Sequence, residues 1–317
     1  MQVIRGLESV SFSGIVLTVG NFDGVHCGHQ AIIAAGRQRA DSAGTQLVAM
    51  TFDPHPATII APDRMPAALT CLEEKIRLLE RVGVDVIVVV QSRPEFFHIT
   101  ADQFISDIIM ARFKPRFIVE GASFRFGQHR RGDGNTLRAV ADRYGFEVEI
   151  IEPIRANLGG HPDTVISSSL IRHLISSGTV DQAALCLGRP YTLVGSVVPG
   201  VGRGQKLGFP TANIGVESQM IPAEGIYAGR AKVKNQEFTA AISIGRYPTF
   251  DGGDLLVEAH LLDFDGAIYD QAIRLEFYEW LRPQEKFDSP QELSRQIARD
   301  VEQTRKIVSN HRIVEQP

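Results

Sequence analysis

The 317-residue chain carries a formal net charge of −4, with 44% hydrophobic and 22% charged residues. That balance excludes a disordered or fibrous protein, and it offers no broad basic field of the kind that neutralises nucleic-acid phosphates, so small ligands are the expected partners. The length exceeds what one hydrophobic core ordinarily serves, and two domains are expected.

The opening residues, MQVIRGLESVSFSG, have no basic start followed by an apolar run, so no secretory leader is expected. Short β-branched runs then alternate with helical patterns: GIVLTVG at 14–20, QLVAMTF at 46–52, VDVIVVV at 84–90, RFIVE at 116–120 and FEVEII at 146–151. Runs this continuously apolar suit strands covered on both faces, with helices as the crossovers that parallel strands need. A doubly wound α/β sheet follows. The most apolar stretch, Val82 to Val90, is interrupted by Asp85 and falls short of the about 20 residues that span a bilayer, so no membrane is expected. Thr70-Cys71-Leu72-Glu73 and Thr100-Ala101-Asp102-Gln103 read as capping boxes opening helices, the first followed by an apolar stripe of Leu72, Ile76 and Leu79.

From Ser168 to Leu187 the pattern is helical until Gly188-Arg189-Pro190 breaks it. A domain boundary near 186 is expected, giving domains 1–186 and 187–317. Beyond it the alternation has period two, in YTLVGSVV, GIYAGRAKV, EFTAAISI, LLVEAHLLDF and AIRLEFYEW, which reads as an antiparallel sheet or barrel. The last segment places Leu293, Ile297, Val301 and Ile307 at helical spacing, as one amphipathic helix on that barrel. Cys27, Cys71 and Cys186 show no C-x-x-C spacing, and a reduced, cytoplasmic home is expected.

Chemistry concentrates where the first of these strands meets a helix, in Gly20-Asn21-Phe22-Asp23-Gly24-Val25-His26-Cys27-Gly28-His29. Open α/β sheets bind ligands beyond the carboxyl ends of strands, and a helix N-terminus there offers free N–H groups and a positive dipole to phosphate. His26 and His29, three apart, could face one phosphate as hydrogen-bond donors. Taken alone, H-x-G-H arises by chance or binds metal about as readily. In the second half, Gly200 to Asn213 joins a glycine-rich loop to Lys206 and Thr211, but Leu207 stands where a P-loop needs Ser or Thr. Strand alternation puts Leu256, Glu258, His260 and Leu262 on one face, so Glu258 stands among apolar neighbours as either a functional acid or half of a buried ion pair. Trp280 reads as a core residue, and Arg131-Gly132-Asp133 as a turn.

The H-x-G-H pattern resembles the nucleotidylyltransferase superfamily, and GNFDGVHCGH resembles the adenylyltransferase half of bacterial bifunctional riboflavin kinase/FAD synthetases. TFDPHP at 51–56, GASFRFG at 121–127 and ISSSLIR at 166–172 match the same family. The resemblance implies ATP binding by Gly20, Asn21, Phe22, Asp23, Gly24, Gly28, Ser168, Ser169 and Arg172, flavin binding by Pro54, His55, Pro56, Ser123, Phe124 and Arg125, and catalysis by His26 and His29. GFPTAN at 208–213, PAEGIYAG at 222–229, Pro248-Thr249-Phe250 and VEAHLLDFDG at 257–266 resemble the riboflavin kinase signature. By that resemblance Gly202, Lys206, Gly208, Phe209, Pro210, Thr211 and Asn213 bind ATP, Thr211 and Asn213 hold Mg²⁺, and Glu258 is the base. The implied partners are riboflavin, FMN and ATP, with FMN and FAD as products, and no protein partner is implied. Ser123 replaces the family's usual Asp or Asn, Ser169 its Thr and Asp270 a Gly, while Gln284-Glu285 is shuffled; these departures imply altered affinity and not a different reaction. Two rivals stand beside this reading: a nucleotidyl acceptor other than FMN, and a flavin-binding protein without turnover.

Overall fold

The structure, a computed structural model, describes residues 1–60, 62–200, 204, 207–246 and 255–311. Gly202, Lys206 and Pro248-Thr249-Phe250 lie outside these described residues. The chain divides into two compact units, Met1–Ser168 and Ser169–Pro317.

In the first unit six parallel strands stand in the order β1-β4-β3-β2-β5-β6. They are β1 (Gln2–Arg5), β2 (Val16–Val19), β3 (Leu47–Asp53), β4 (Val86–Gln91), β5 (Phe117–Gly121) and β6 (Glu147–Ile151). The five apolar runs are all strands. β1 escaped the sequence reading because QVIR is a short, exposed edge strand with no apolar run to betray it. Successive side chains point to opposite faces: Val86, Val88 and Val90 enter one core with Phe104, Ile109 and Phe113, and Ile87 and Val89 enter the other with Ile33, Leu78 and Leu79. Helices α1 (Cys27–Ala43), α2 (Leu72–Arg81) and α3 (Gly134–Tyr144), with the π-helical segment Phe104–Phe113, connect the strands.

Strand order reverses between β2 and β5, the switch point where doubly wound sheets open a crevice. The two strands pair only at Val16 with Phe117 and Leu17 with Ile118. Beyond that they part, and Val19 N donates to the Glu120 carboxylate at 2.6 Å instead of to a neighbouring strand. A short hairpin, β7 (Arg155–Leu158) with β8 (His161–Val165), precedes helix α4 (Ser168–Ser176).

The second unit is a closed antiparallel barrel, β10-β13-β12-β11-β14-β9. Its strands are β9 (Tyr191–Val198), β10 (Ala212–Gly215), β11 (Gly225–Val233), β12 (Gln236–Arg246), β13 (Leu255–Leu261) and β14 (Ala272–Arg282). Tyr227, Ile242, Ala259, Leu275 and Phe277 are fully buried within it. Helix α5 (Val180–Leu187) packs on β14 and β9, and α6 (Pro290–His311) on β11, β12 and β14.

Three sequence expectations need correction. Helix α2 opens at Cys71 with no side-chain cap, because the Thr70 hydroxyl is engaged by Asp23 and Gly24 across the fold; the Thr100 box forms as expected. Trp280 is 40% exposed and so is not core. On α6 the most deeply buried positions are Asp300, Thr304 and Val308, while Leu293, Ile297 and Val301 are half-buried. Asp300 can sit in that interface because the Arg282 guanidinium donates to its carboxylate at 2.7 and 3.0 Å, a partner that hydrophobic periodicity cannot register.

Candidate functional site

The loop from β2 to α1 is built under backbone strain. Phe22 and Val25 hold φ values of 49° and 41°, which bulky and β-branched residues rarely adopt, and Gly24 lies between them at 82°. Hydrogen bonds from outside hold it there. The Thr51 hydroxyl donates to Asn21 O at 3.2 Å, Gly24 N donates to Thr70 Oγ1 at 3.2 Å, and Ser168 Oγ donates to Asp23 O at 3.1 Å. The buried Asp23 carboxylate accepts from Leu69 N at 2.9 Å and Thr70 N at 3.1 Å, so it fastens the start of α2 to the loop.

His26 caps α1, its Nδ1 accepting from His29 N at 3.4 Å. Nδ1 is thereby the accepting nitrogen, and Nε2 carries the ring's donor hydrogen. The two imidazoles stack, with centroids 3.6 Å apart and planes 18° from parallel. A Cβ on Gly28 would lie 3.1 Å from the His26 ring, so the residue between the histidines must be small. Burial pushes the His29 imidazole well below the ordinary histidine range, and His26 and Lys75 add to the effect. His29 is therefore held as a neutral ring at pH 7, able to offer an N–H donor and not a second cation. Buried Thr18 Oγ1, Asn21 Oδ1 and His29 Nδ1 have no hydrogen-bond partner among the described residues, three polar atoms whose needs a ligand or solvent would meet.

The flavin-side candidates follow the carboxyl ends of β3 and β5. Pro54 borders a cavity of about 830 Å³ with Arg5, Asp53, Phe96, Ile99 and Ile108. His55 Nδ1 accepts from Ala57 N at 3.0 Å. Edge and tilted ring contacts run from Phe52 to Phe96 (5.5 Å), Phe96 to Phe104 (6.2 Å) and Phe104 to Phe126 (5.1 Å), and Phe124 stacks on Phe126 at 5.4 Å. This aromatic wall joins the Pro54 turn to the loop after β5, where Ser123 and Arg125 are exposed. Ser169 and Arg172 belong to the second unit, on α4, Ser169 exposed and Arg172 half-buried.

On the barrel, Asn213 and Glu258 are direct cross-strand partners on β10 and β13, and Ser243 of β12 faces Glu258 from the other side. Such partners share a face. The Thr211 hydroxyl donates to Glu258 Oε1 at 3.4 Å. Val257, Ala259 and Leu261 point into the barrel, whereas Leu256 is exposed and Glu258 half-buried. The expected apolar setting of Glu258 is thus corrected: both faces of LLVEAHLL are apolar, and alternation alone does not tell which one turns inward. Gly204 O accepts from Leu207 N and Phe209 N at 3.0 Å, curling the loop around Gly208, whose φ is 84°. His260 Nδ1 lies 2.8 Å from Pro210 O, and Phe209 meets the His260 ring edge-on at 5.6 Å. A cavity of about 370 Å³ opens here, bordered by Gly200, Pro210, Thr211, Asn213, Leu261 and Tyr269. Gln284 donates to Ser243 Oγ at 2.9 Å, tying the segment after β14 to the row that carries Glu258.

Residues 9–169 match the FAD synthetase family and residues 187–308 the riboflavin kinase family. The chain is 36% identical over 305 residues to the bifunctional riboflavin kinase/FMN adenylyltransferase of Haemophilus influenzae, covering 95% of this chain and 97% of that one. The chain belongs to the bifunctional riboflavin kinase/FMN adenylyltransferase family. The Bacillus subtilis member is 34% identical over 304 residues, 94% of this chain and 93% of that one. A crystal structure of a Streptococcus pneumoniae chain described as a macrolide-efflux protein superposes with a TM-score of 0.86 at 30% identity, covering 96% of this chain and 99% of that one. Among the described residues of the present chain no helix is long and apolar enough to cross a membrane.

Within that family frame, sequence reasoning missed Thr70, Lys75 and the aromatic wall. A signal for Lys75 was available: it falls on the apolar stripe Leu72, Ile76, Leu79, three residues after the first and four before the last. Thr70 left none, because the partners that occupy its hydroxyl are 46 and 47 residues away.

Proposed function

We propose that the chain phosphorylates riboflavin with ATP to give FMN on the barrel and transfers an adenylyl group from a second ATP to FMN at the sheet's switch point, giving FAD and pyrophosphate. One observation carries this reading: the two sites hold complementary chemistry, stacked histidines at a helix N-terminus in one unit and a carboxylate beside Thr and Asn in the other.

At the first site the nucleophile is the FMN phosphate, already anionic because the second pKa of such an ester is about 6. No base is required, and His26 and His29 serve by donating hydrogen bonds to the reacting phosphates while the α1 N-terminus and the strained loop bring backbone N–H groups to them. The 830 Å³ cavity beside Pro54 and Phe96 accepts the flavin ring. Ser168, Ser169 and Arg172 hold the ATP phosphates.

At the second site the riboflavin 5′-hydroxyl is neutral, and Glu258 takes its proton as the oxygen attacks the γ-phosphorus of ATP and ADP leaves. Thr211 Oγ1 and the Asn213 side-chain oxygen, next to Glu258, form the hard-oxygen donor set that suits Mg²⁺ completed by substrate phosphates and water. The metal, when bound, neutralises charge on the transferred phosphoryl group. Gly202, Lys206, Gly208, Phe209 and Pro210 complete the ATP side. The riboflavin kinase match beginning at 187 supports domains of 1–186 and 187–317, although the compact units divide at Ser168, and three free cysteines support a cytoplasmic setting.

A time course with riboflavin, ATP and Mg²⁺, resolved by chromatography, tests the reading. FMN is expected first and FAD after it. Accumulation of FMN alone would remove the adenylyltransferase, and untouched riboflavin would remove the whole proposal.

A further inference from the structure

We propose that Lys75 is an anion-holding residue of the adenylyltransferase site, binding the phosphate of FMN between the His26–His29 pair and the Phe52–Pro54 turn. The inference rests on the adenylyltransferase reading and deepens it by assigning a phosphate ligand that no motif marks.

Lys75 is 5% exposed, on α2. An ammonium group has three hydrogens to donate, and here one of them goes to Phe52 O, across a long 3.4 Å. Among the described residues no carboxylate lies within ion-pairing distance of it. Asp23 and Asp53 act on the ammonium from further off, with the Cys71 thiol, and burial lowers its proton affinity against them. The Asp23 carboxylate turns its oxygens to Leu69 and Thr70, so it acts on Lys75 through its charge and not through a direct contact. A buried cation left so poorly compensated is costly, and an apolar side chain at this position on the α2 stripe would pack without that cost. The arrangement makes sense when an anion enters.

Position selects the anion. Lys75 contacts the end of β3, immediately before Asp53-Pro54, and its charge acts on the His29 ring. A second set of contacts joins the loop to a different segment: Asp23 O accepts from Ser168, and the Gly28 position approaches Ile166 O. That second segment carries the ATP-side residues. The first carries Phe52 and, next in the chain, Asp53 and Pro54, which border the cavity assigned to the flavin, so the phosphate assigned to Lys75 is the one attached to the flavin. The residue binds and orients the nucleophile; it moves no proton and forms no bond.

Initial rates of FAD formation from FMN and ATP by the full chain test this, comparing wild type with Lys75→Met and Lys75→Arg. Lys75→Met should raise the KM for FMN about 10- to 100-fold, the range for losing a charge-assisted hydrogen bond, leave the KM for ATP unchanged, and melt no lower than wild type. Lys75→Arg, which keeps the charge, should recover part of the loss. Lumiflavin, the ring without the ribityl phosphate, should inhibit both enzymes equally. An unchanged KM for FMN, a rise confined to ATP, weaker lumiflavin inhibition, or a melting temperature lowered by Lys75→Met would each overturn the assignment, the last two by making the lysine a structural support. Failure of the wild type to form FAD would instead overturn the adenylyltransferase reading itself.

Discussion

The two proposed sites of this chain would handle the same cosubstrate with opposite electrostatics. On the parallel sheet, the proposed phosphate chemistry lies at a helix N-terminus with two stacked imidazoles and a buried lysine nearby, and the adjacent acid, Asp23, accepts from backbone N–H groups. On the barrel, the central group is a half-buried carboxylate, Glu258, flanked by Thr211, Asn213 and Ser243. The ionisation of the nucleophile accounts for the difference. A phosphate needs its charge neutralised and no proton removed, whereas a hydroxyl needs a base.

The largest effect expected is on that contrast itself. Glu258→Gln should lower FMN formation by about 10²- to 10⁴-fold, the usual worth of a positioned base, while FAD formation from supplied FMN is unchanged; equal losses in both assays would collapse the two sites into one. His29→Ala should do the converse, lowering FAD formation about 10²- to 10³-fold, as removal of an oxyanion donor does, with riboflavin phosphorylation intact. Asp300→Ala would leave the half-buried Arg282 guanidinium with only Glu285 at 4.0 Å and Pro283 O as partners and should destabilise the barrel unit by about 1–3 kcal/mol. Denaturation followed at Trp280, the chain's single tryptophan and a barrel residue, reads this unit selectively.

The smallest effect probes the crevice between β2 and β5. Burial holds the Glu120 carboxyl well above the ordinary carboxylate range, against the opposing hydrogen bond from Val19 N. A folded-state pKa raised above the unfolded one contributes stability that is fully present below the unfolded value and is lost as pH rises through the folded value. Glu120→Gln retains an acceptor for Val19 and removes the charge. It should therefore raise the melting temperature of the first unit at pH 8, by about 2–4 °C for each kcal/mol recovered, and the gain should shrink toward pH 4.5. An equal gain at both pH values would show that Glu120 does not titrate in this range.

Much of the fold was legible because its signals are local. Five apolar runs bounded by turns became five parallel strands, the Thr100 box closed on Gln103 within one turn, and H-x-G-H after a strand became a helix N-terminus with its histidines in contact. The barrel's strands announced themselves by period two, apart from β10, whose four residues are too few for a pattern.

By itself, the order of residues determined the two-part architecture, the place of each chemical motif at a strand end or loop, and the family, since these depend on neighbours a few positions apart. Only the tertiary structure decided which charges are buried and what answers them: Asp23 bound to Thr70, Val19 to Glu120, Lys75 left beside Phe52, Arg282 locked to Asp300, and Glu258 turned to the outer face of its strand. The worth of a charge is set by how far it is removed from water and by the groups that replace that water. Those groups come from distant parts of the chain, and folding alone brings them together.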